Sequence, residues 1–180
     1  MGPSCTRDCR FCAVQHDPSG PLDPDEPRKV ARAVKALGLR YAVITSVTRD
    51  DLPDGGASFF SETMAQIRAL NPETKIEILV PDFQGSLDSL KLVLQARPEV
   101  FNHNLETVPR LYARARPGAG YQRSLELLHK AHELSPDIPT KTGLMLGLGE
   151  TGQEVRQTLK DCVQCGCRIL TLGQYLQPTR

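Results

Sequence analysis

Apolar residues along this chain alternate between two periods, and the alternation is regular. Val30, Ala33, Val34 and Leu37 fall at helical spacing after a Pro- and Asp-rich loop, Pro18–Pro27. The helix is expected to start near Glu26–Pro27, capped by Asp25 and ended by Gly38. Tyr41–Val47 is apolar and β-branched, which predicts a buried strand. Phe59, Phe60, Met64, Ile67 and Leu70 mark a second helix, closed by Asn71–Pro72. Lys75–Val80 reads as a strand, Leu87, Leu90 and Leu94 as a helix stopped by Pro98, and Val100–Leu105 as a strand. A short helix near Pro109–Ala115 and a longer one near Ser124–Leu134 come next. A strand Thr142–Leu148, a helix Glu154–Cys165 and a strand Ile169–Tyr175 complete the chain.

Apolar strands separated by helices predict parallel strands with helical crossovers, in an α/β barrel or an open parallel sheet. Function in such folds gathers on loops beyond the C-terminal ends of the strands. Thr48–Gly56, Glu106–Thr107 and Gly149–Gly152 are the polar segments there. No strand pattern precedes the loop that begins at Cys5, where a barrel should have one. The chain is therefore expected to lack a first strand, and that loop to be weakly anchored.

Composition narrows the class. With 180 residues, 39% of them apolar and 24% charged, the chain is expected to fold as one domain, 1–180, with its own core. A net charge of +1 gives no electrostatic case for nucleic acid, and the apolar runs are strand-sized, so no membrane partner is expected. No export signal is evident. The six cysteines fall in two clusters, at 5, 9, 12 and at 162, 165, 167. Clustering in an ordinary globular composition fits metal binding in a reducing compartment, hence a cytoplasmic or, in a eukaryote, organellar protein.

Cys5, Cys9 and Cys12 stand in the run Cys-Thr-Arg-Asp-Cys-Arg-Phe-Cys. Three soft thiolates on a short loop can hold a metal centre from one side and leave a coordination position open. Three readings follow from the spacing: an iron–sulfur cluster, a Cys3His zinc site completed by His16, or three unligated thiols. Phe11 would shield a cluster or anchor the loop. Cys162 shares a helical face with Val155 and Leu159, and Cys165 and Cys167 flank Gly166 at a helix end, so the second cluster reads as core. His103 is expected to be packed, and His129 and His132 solvated. Arg49, Asp50 and Asp51 would orient a substrate or form an ion-paired loop.

The first cysteine run, with Phe11 before its last cysteine, resembles the radical S-adenosylmethionine (SAM) motif. Its neighbours resemble lipoyl synthases specifically: Thr45-Ser-Val-Thr-Arg-Asp-Asp-Leu-Pro-Asp-Gly-Gly56, Val80-Pro-Asp-Phe83, Phe101-Asn-His-Asn-Leu-Glu-Thr-Val-Pro109, Arg116-Pro-Gly-Ala119, Lys141-Thr-Gly-Leu-Met-Leu-Gly-Leu-Gly-Glu150 and Leu172-Gly-Gln-Tyr-Leu-Gln-Pro178. The resemblance covers essentially the whole chain. It implies a partial (β/α)6 barrel without its first strand, and a 4Fe-4S cluster on Cys5, Cys9 and Cys12 whose open iron binds SAM. It implies that SAM is cleaved to a 5′-deoxyadenosyl radical, which takes hydrogen from C6 and C8 of an octanoyl-lysine before sulfur is inserted to give lipoyl-lysine. Thr45, Ser46, Asn104, Glu106, Met145 and Gly147 would contact SAM, near Gly143 and Glu150. The implied partners are octanoylated carrier domains of 2-oxoacid dehydrogenases and of the glycine cleavage system, and an electron donor. A biotin synthase-like sulfur inserter and a non-catalytic zinc module are the alternatives.

The family also carries an auxiliary 4Fe-4S cluster that supplies sulfur, held by cysteines upstream of the motif and a serine downstream. Neither set of ligands occurs in residues 1–180, so the chain is expected to be truncated at both ends and incomplete for sulfur insertion by itself. Pro3-Ser4 stands where the family usually has Asp-Thr, and Thr48 replaces a usual Asp.

Overall fold

The computed structural model describes residues 1–16 and 19–178. Pro18, where the predicted first loop begins, lies outside the described residues. The elements run α1 (Glu26–Ala36), β1 (Tyr41–Thr45), α2 (Ala57–Leu70), β2 (Lys75–Leu79), α3 (Leu87–Gln95), β3 (Val100–Asn102), α4 (Tyr112–Ala115), α5 (Tyr121–Leu134), β4 (Thr140–Leu146), α6 (Gly152–Gln164) and β5 (Ile169–Gln174). The five strands form one sheet in chain order, every neighbouring pair parallel. This is the predicted α/β sheet with helical crossovers. Among the described residues no helix is long and apolar enough to cross a membrane.

The core lies between the helices and one face of the sheet. Phe60, Met64 and Ile67 of α2 pack with Ile76 and Ile78 of β2, Leu90 and Val93 of α3, Phe101 of β3 and Leu128 of α5, all fully or almost fully buried. Each such side chain contributes roughly 1.5–3 kcal/mol by leaving water.

Several predicted boundaries and contacts differ, each for a local reason. Asp25 occupies the N-cap position as predicted, but its side chain makes no capping hydrogen bond. The start of α1 is held instead by Glu26, whose carboxylate receives the Met1 amino group at 2.6 Å. The first strand stops at Thr45 and is not buried, because β1 is an edge strand whose alternate residues face the lumen, and Val43 is 51% exposed. The third strand stops at Asn102 rather than Leu105. There the Leu105 N–H is taken by the Thr142 hydroxyl at 3.1 Å and Glu106 turns into the left-handed region, φ 68°. β4 ends at Leu146, before Gly147 at φ 103°. Helix α5 begins three residues earlier than its apolar pattern, at Tyr121. Helix α6 begins at Gly152, where Thr151 and Glu154 form a reciprocal capping box. β5 is apolar in sequence yet exposed along its whole length, as the other edge of the sheet.

On the lumen face the N-terminal ends of the strands are closed by a polar group. Glu77 accepts hydrogen bonds from Tyr41 Oη at 2.7 Å, Asn102 Nδ2 at 2.9 Å and Lys141 Nζ at 2.8 Å. With that end plugged, open space lies at the opposite end of the strands, where the cysteine loop sits.

Candidate functional site

The cysteine loop is tied down, contrary to the expectation that it would be weakly anchored. The Cys5 N–H donates to Gln15 O at 2.8 Å, and the Cys12 N–H to Cys9 O at 2.9 Å, which closes a tight turn. Thr6 bonds the loop after β1, its N–H donating to Thr48 O at 3.0 Å and its hydroxyl accepting from Asp50 N at 3.0 Å. The Arg10 N–H donates to Ala115 O at 2.9 Å, pinning the far side of the loop to the end of α4.

A buried ion network does the rest. Arg7, between the first two cysteines, is 6% exposed and reaches Asp82, which is fully buried, at 2.5 Å. It also binds Asp50 through two hydrogen bonds of 2.7 and 2.9 Å. Asp82 receives Arg123 of α5 on its other oxygen at 2.7 Å. Burial would raise the Asp82 carboxyl, but Arg7 and Arg123 hold it well below the usual aspartate range. Arg49 pairs with Asp51 and donates to Met1 O at 2.8 Å. The Arg49–Asp51 segment is thus the ion-paired loop, and it fastens the start of the chain.

Above the strand ends lies a cavity of about 440 Å³. Cys5, Cys9 and Cys12 form one side, and Thr45, Ser46, Asn104 and Glu106, from the ends of β1 and β3, form the other. Seven of the predicted site residues are therefore brought together. Met145 and Gly147 are not on this wall. The Met145 N–H donates to Glu106 O at 2.8 Å. The space a side chain on Gly147 would need is filled by Gln174, 2.5 Å from the ideal Cβ position. Glu150 accepts from the Gly147 and Leu148 amides, closing its own turn. Gly143 is required by Asn104, whose Oδ1 would lie 2.9 Å from an added Cβ.

The chemistry of the wall is graded. Cys5 Sγ accepts from the amides of Arg7 at 3.5 Å and Thr48 at 3.4 Å. Burial pushes the Cys9 thiol up, while the adjacent Arg116 guanidinium opposes that rise. Burial also raises the Glu106 carboxyl, again against Arg116 and a hydrogen bond from Asn104. His103 is packed as expected, with ring nitrogens 2.8 Å from Val80 O and 2.9 Å from Ser124 Oγ. Burial and Arg116 lower its pKa to about 4, so it is neutral. Thr45 and Ser46 hydroxyls donate to Leu79 O at 3.1 Å and Val47 O at 2.9 Å.

Other expectations resolve more simply. Among the described residues no three His, Cys, Asp or Glu side chains converge where a single ion could sit. His16 faces Asp8 at 3.4 Å, so the Cys3His zinc arrangement is not formed. His129 is exposed beside Glu133, but His132 is only half-exposed, its ring packed against Gly166. A second cleft of about 520 Å³ between Asp50–Gly55 and Phe83–Ser86 holds no cysteine, and its carboxylates are already paired with Arg7 and Arg49. Sequence reasoning missed Arg7, Asp82, Arg116 and Arg123. The available signal was positional: Arg7 lies inside the cysteine run, and Asp82 and Arg116 lie inside segments already singled out.

The sequence matches the family model of the Radical SAM superfamily over residues 1–162. The chain belongs to the radical SAM superfamily. It is 59% identical over 179 residues to a lipoyl synthase of Desulfotalea psychrophila, covering 99% of this chain and 60% of that protein. It is 55% identical to the lipoyl synthase of Caldanaerobacter subterraneus, covering 99% of this chain and 63% of the relative. The chain thus spans about 60% of the length of the curated relatives it matches. Solved structures share the fold. HydG, a maturase of FeFe-hydrogenase, superposes with TM-score 0.79 at 14% identity, covering 98% of this chain and 42% of that one. SuiB of Streptococcus suis bound to S-adenosylmethionine superposes with TM-score 0.73 at 13% identity, covering 99% and 40%. The radical SAM assignment carries a 4Fe-4S cluster and SAM as cofactors.

Proposed function

We propose that this chain is the SAM-cleaving core of a lipoyl synthase, the enzyme class that inserts sulfur at C6 and C8 of a protein-bound octanoyl-lysine. The carrying observation is the single cavity that joins Cys5, Cys9 and Cys12 to Thr45, Ser46, Asn104 and Glu106 at strand C-termini, in a chain 59% identical to a lipoyl synthase.

The residues present fit a 4Fe-4S cluster. Three soft donors face one space, two backbone amides point at Cys5 Sγ, and a buried guanidinium stands beside Cys9. Cys5, Cys9 and Cys12 would hold the cluster, leaving one iron for the SAM amino and carboxylate groups. With SAM bound there, the cluster would supply the electron that releases a 5′-deoxyadenosyl radical for hydrogen abstraction. The protein's own part is placement and exclusion. Arg7 and Asp82 hold the loop at fixed height over the strands. Asn104 and Glu106 would offer polar groups to the ribose hydroxyls, and Thr45 and Ser46 to the SAM amino group. Met145 and Gly147 lie off the cavity wall, so no contact with SAM is assigned to them. The polar plug at Glu77 keeps the lumen closed from below. Octanoylated carrier domains, an electron donor, an auxiliary sulfur-donating cluster held by further ligands and a cytoplasmic or organellar setting complete the proposal.

Anaerobic reconstitution tests it. The 180-residue chain should bind about four irons, show broad visible absorbance, and release 5′-deoxyadenosine from SAM under reduction. Failure to bind iron anaerobically would remove the assignment.

A further inference from the structure

Among the described residues that line the cysteine cavity, only Arg116 has a buried side-chain nitrogen or oxygen without a hydrogen-bond partner. Arg116 is 9% exposed. Its Nη1 is fixed from behind, donating to Asn104 O at 2.7 Å, Leu105 O at 3.2 Å and Tyr112 Oη at 3.2 Å. The guanidinium carbon lies 5.4 Å from the centre of the Tyr112 ring. Its Nε–H has no acceptor. A buried donor left unpaired is destabilising, so its place in the fold asks for an acceptor the protein alone does not provide.

The cysteine loop brings one close. The Arg10 N–H is bonded to Ala115 O at 2.9 Å, which sets Cys9 and Arg10 against Ala115 and Arg116. Cys9 and Arg116 line the same cavity, with the guanidinium near enough to act on the Cys9 sulfur. Lysine in this place would offer a charge, but only arginine can keep three acceptors on one nitrogen and still present a second N–H from a rigid plane.

We propose that Arg116 is a positioning residue that sets the reduction potential of the cluster, by directing its free Nε–H and its charge at the Cys9 corner. The inference rests on the reading that Cys9 is a cluster ligand. Reduction adds one electron, from an external low-potential reductant, and so one negative charge to the cluster. A fixed cation and an N–H donor to a ligand sulfur both favour the more negative state, and so raise the potential.

The test is a potentiometric titration of the reconstituted 180-residue chain without SAM, following the reduced cluster by electron paramagnetic resonance. Arg116→Met, matched for apolar stem but uncharged, should load the same iron yet show about a tenfold lower reduced-to-oxidised ratio at fixed potential, a negative shift of about 59 mV for one electron. Arg116→Lys should shift less, in the same direction, because it keeps the charge and loses the fork. A fully loaded Arg116→Met protein with the wild-type ratio overturns the proposal. If that variant does not load, Arg116→Lys is read instead, and an unchanged ratio there overturns it. A wild-type chain that binds no cluster would instead overturn the reading of the cysteines, and this inference with it.

Discussion

The two cysteine trios have the same composition and opposite surroundings. Cys5, Cys9 and Cys12 lie on a loop at the C-terminal ends of the strands, half-buried or exposed, beside backbone amides and Arg116. Cys162, Cys165 and Cys167 lie where α6 returns to the N-terminal end of β5, buried or half-buried, and two of their thiols donate to carbonyls. Cys165 Sγ donates to Cys162 O at 3.2 Å, and Cys167 Sγ to Ile169 O at 3.3 Å. Burial pushes Cys162 up to about 12 and Cys167 up to about 11. Burial raises Cys9 as well, but there the Arg116 guanidinium opposes the rise, whereas at Cys162 and Cys165 the Asp161 carboxylate adds to it. Cysteine count and spacing therefore say less about metal chemistry than the polarity of the groups facing each sulfur.

The largest expected effect breaks the comparison at its stronger end. Cys9→Ala should abolish the visible absorbance of the reconstituted cluster while leaving the helical circular dichroism intact. The triple change of Cys162, Cys165 and Cys167 to Ala should leave iron and sulfide counts per folded chain unchanged. Iron lost from folded triple-mutant protein would make the second trio a metal site after all.

Next comes the anchorage that distinguishes the first trio. Asp82→Asn removes the carboxylate shared by Arg7 and Arg123, leaving Arg7 buried without its full counter-charge. The expected cost is roughly 3–5 kcal/mol in urea unfolding, as for other buried pairs broken on one side. The Asp82 carboxyl is depressed in the fold, so its contribution is complete above the ordinary value of 3.8 and is lost as pH falls below it. A cost under about 1 kcal/mol, in the range of exposed ion pairs, would mean the loop is held by its backbone bonds alone.

The order of helices and strands was legible because each apolar run had one period and clear stops, such as Pro98 after α3 and Gly38 after α1. Edge exposure was legible only through topology: a missing first strand leaves Tyr41–Val47 at the edge of the sheet. Tyr41–Val47 reads as buried from its residues, but burial depends on whether a neighbour covers both faces, which no local pattern encodes. The site shows the same division. The three cysteines were readable from their spacing, and the polar residues at the ends of β1 and β3 from the family resemblance. Arg7 with Asp82 was not, because the pair spans 75 residues and each partner alone looks like solvated surface. Arg116 was quoted only as part of a segment; its burial comes from α4 folding back beneath the loop.

A pH experiment sharpens the contrast at smaller scale, since the cysteine cavity has a buried histidine, His103, in its wall. His103 has its pKa lowered from 6.5 to about 4, mainly by burial. The unfolded chain takes up a proton that the folded chain refuses, so stability rises with pH across that window and falls as pH drops through it. Between pH 7 and pH 5 the loss should be about 2 kcal/mol. His103→Gln should flatten this slope, whatever its effect on stability at pH 7. A slope unchanged by the substitution would assign the pH dependence to other groups.

The smallest effect belongs to the second trio taken singly. Cys162 is 4% exposed and sits on the inner face of α6, with Thr158 fully buried one turn before it. Cys162→Ala removes one sulfur's packing and no hydrogen-bond donor to a ligand, so about 1 kcal/mol of destabilisation is expected, near the centre of single-substitution effects. Its thiol should also resist alkylation at pH 8 until the chain unfolds, because the folded value of about 12 leaves almost no thiolate. Cys5 and Cys12 in the metal-free protein should be modified far sooner, since the cavity and solvent reach them directly. Mass-resolved alkylation separates the six cysteines in one experiment, and equal rates for Cys162 and Cys12 would erase the distinction between the two trios.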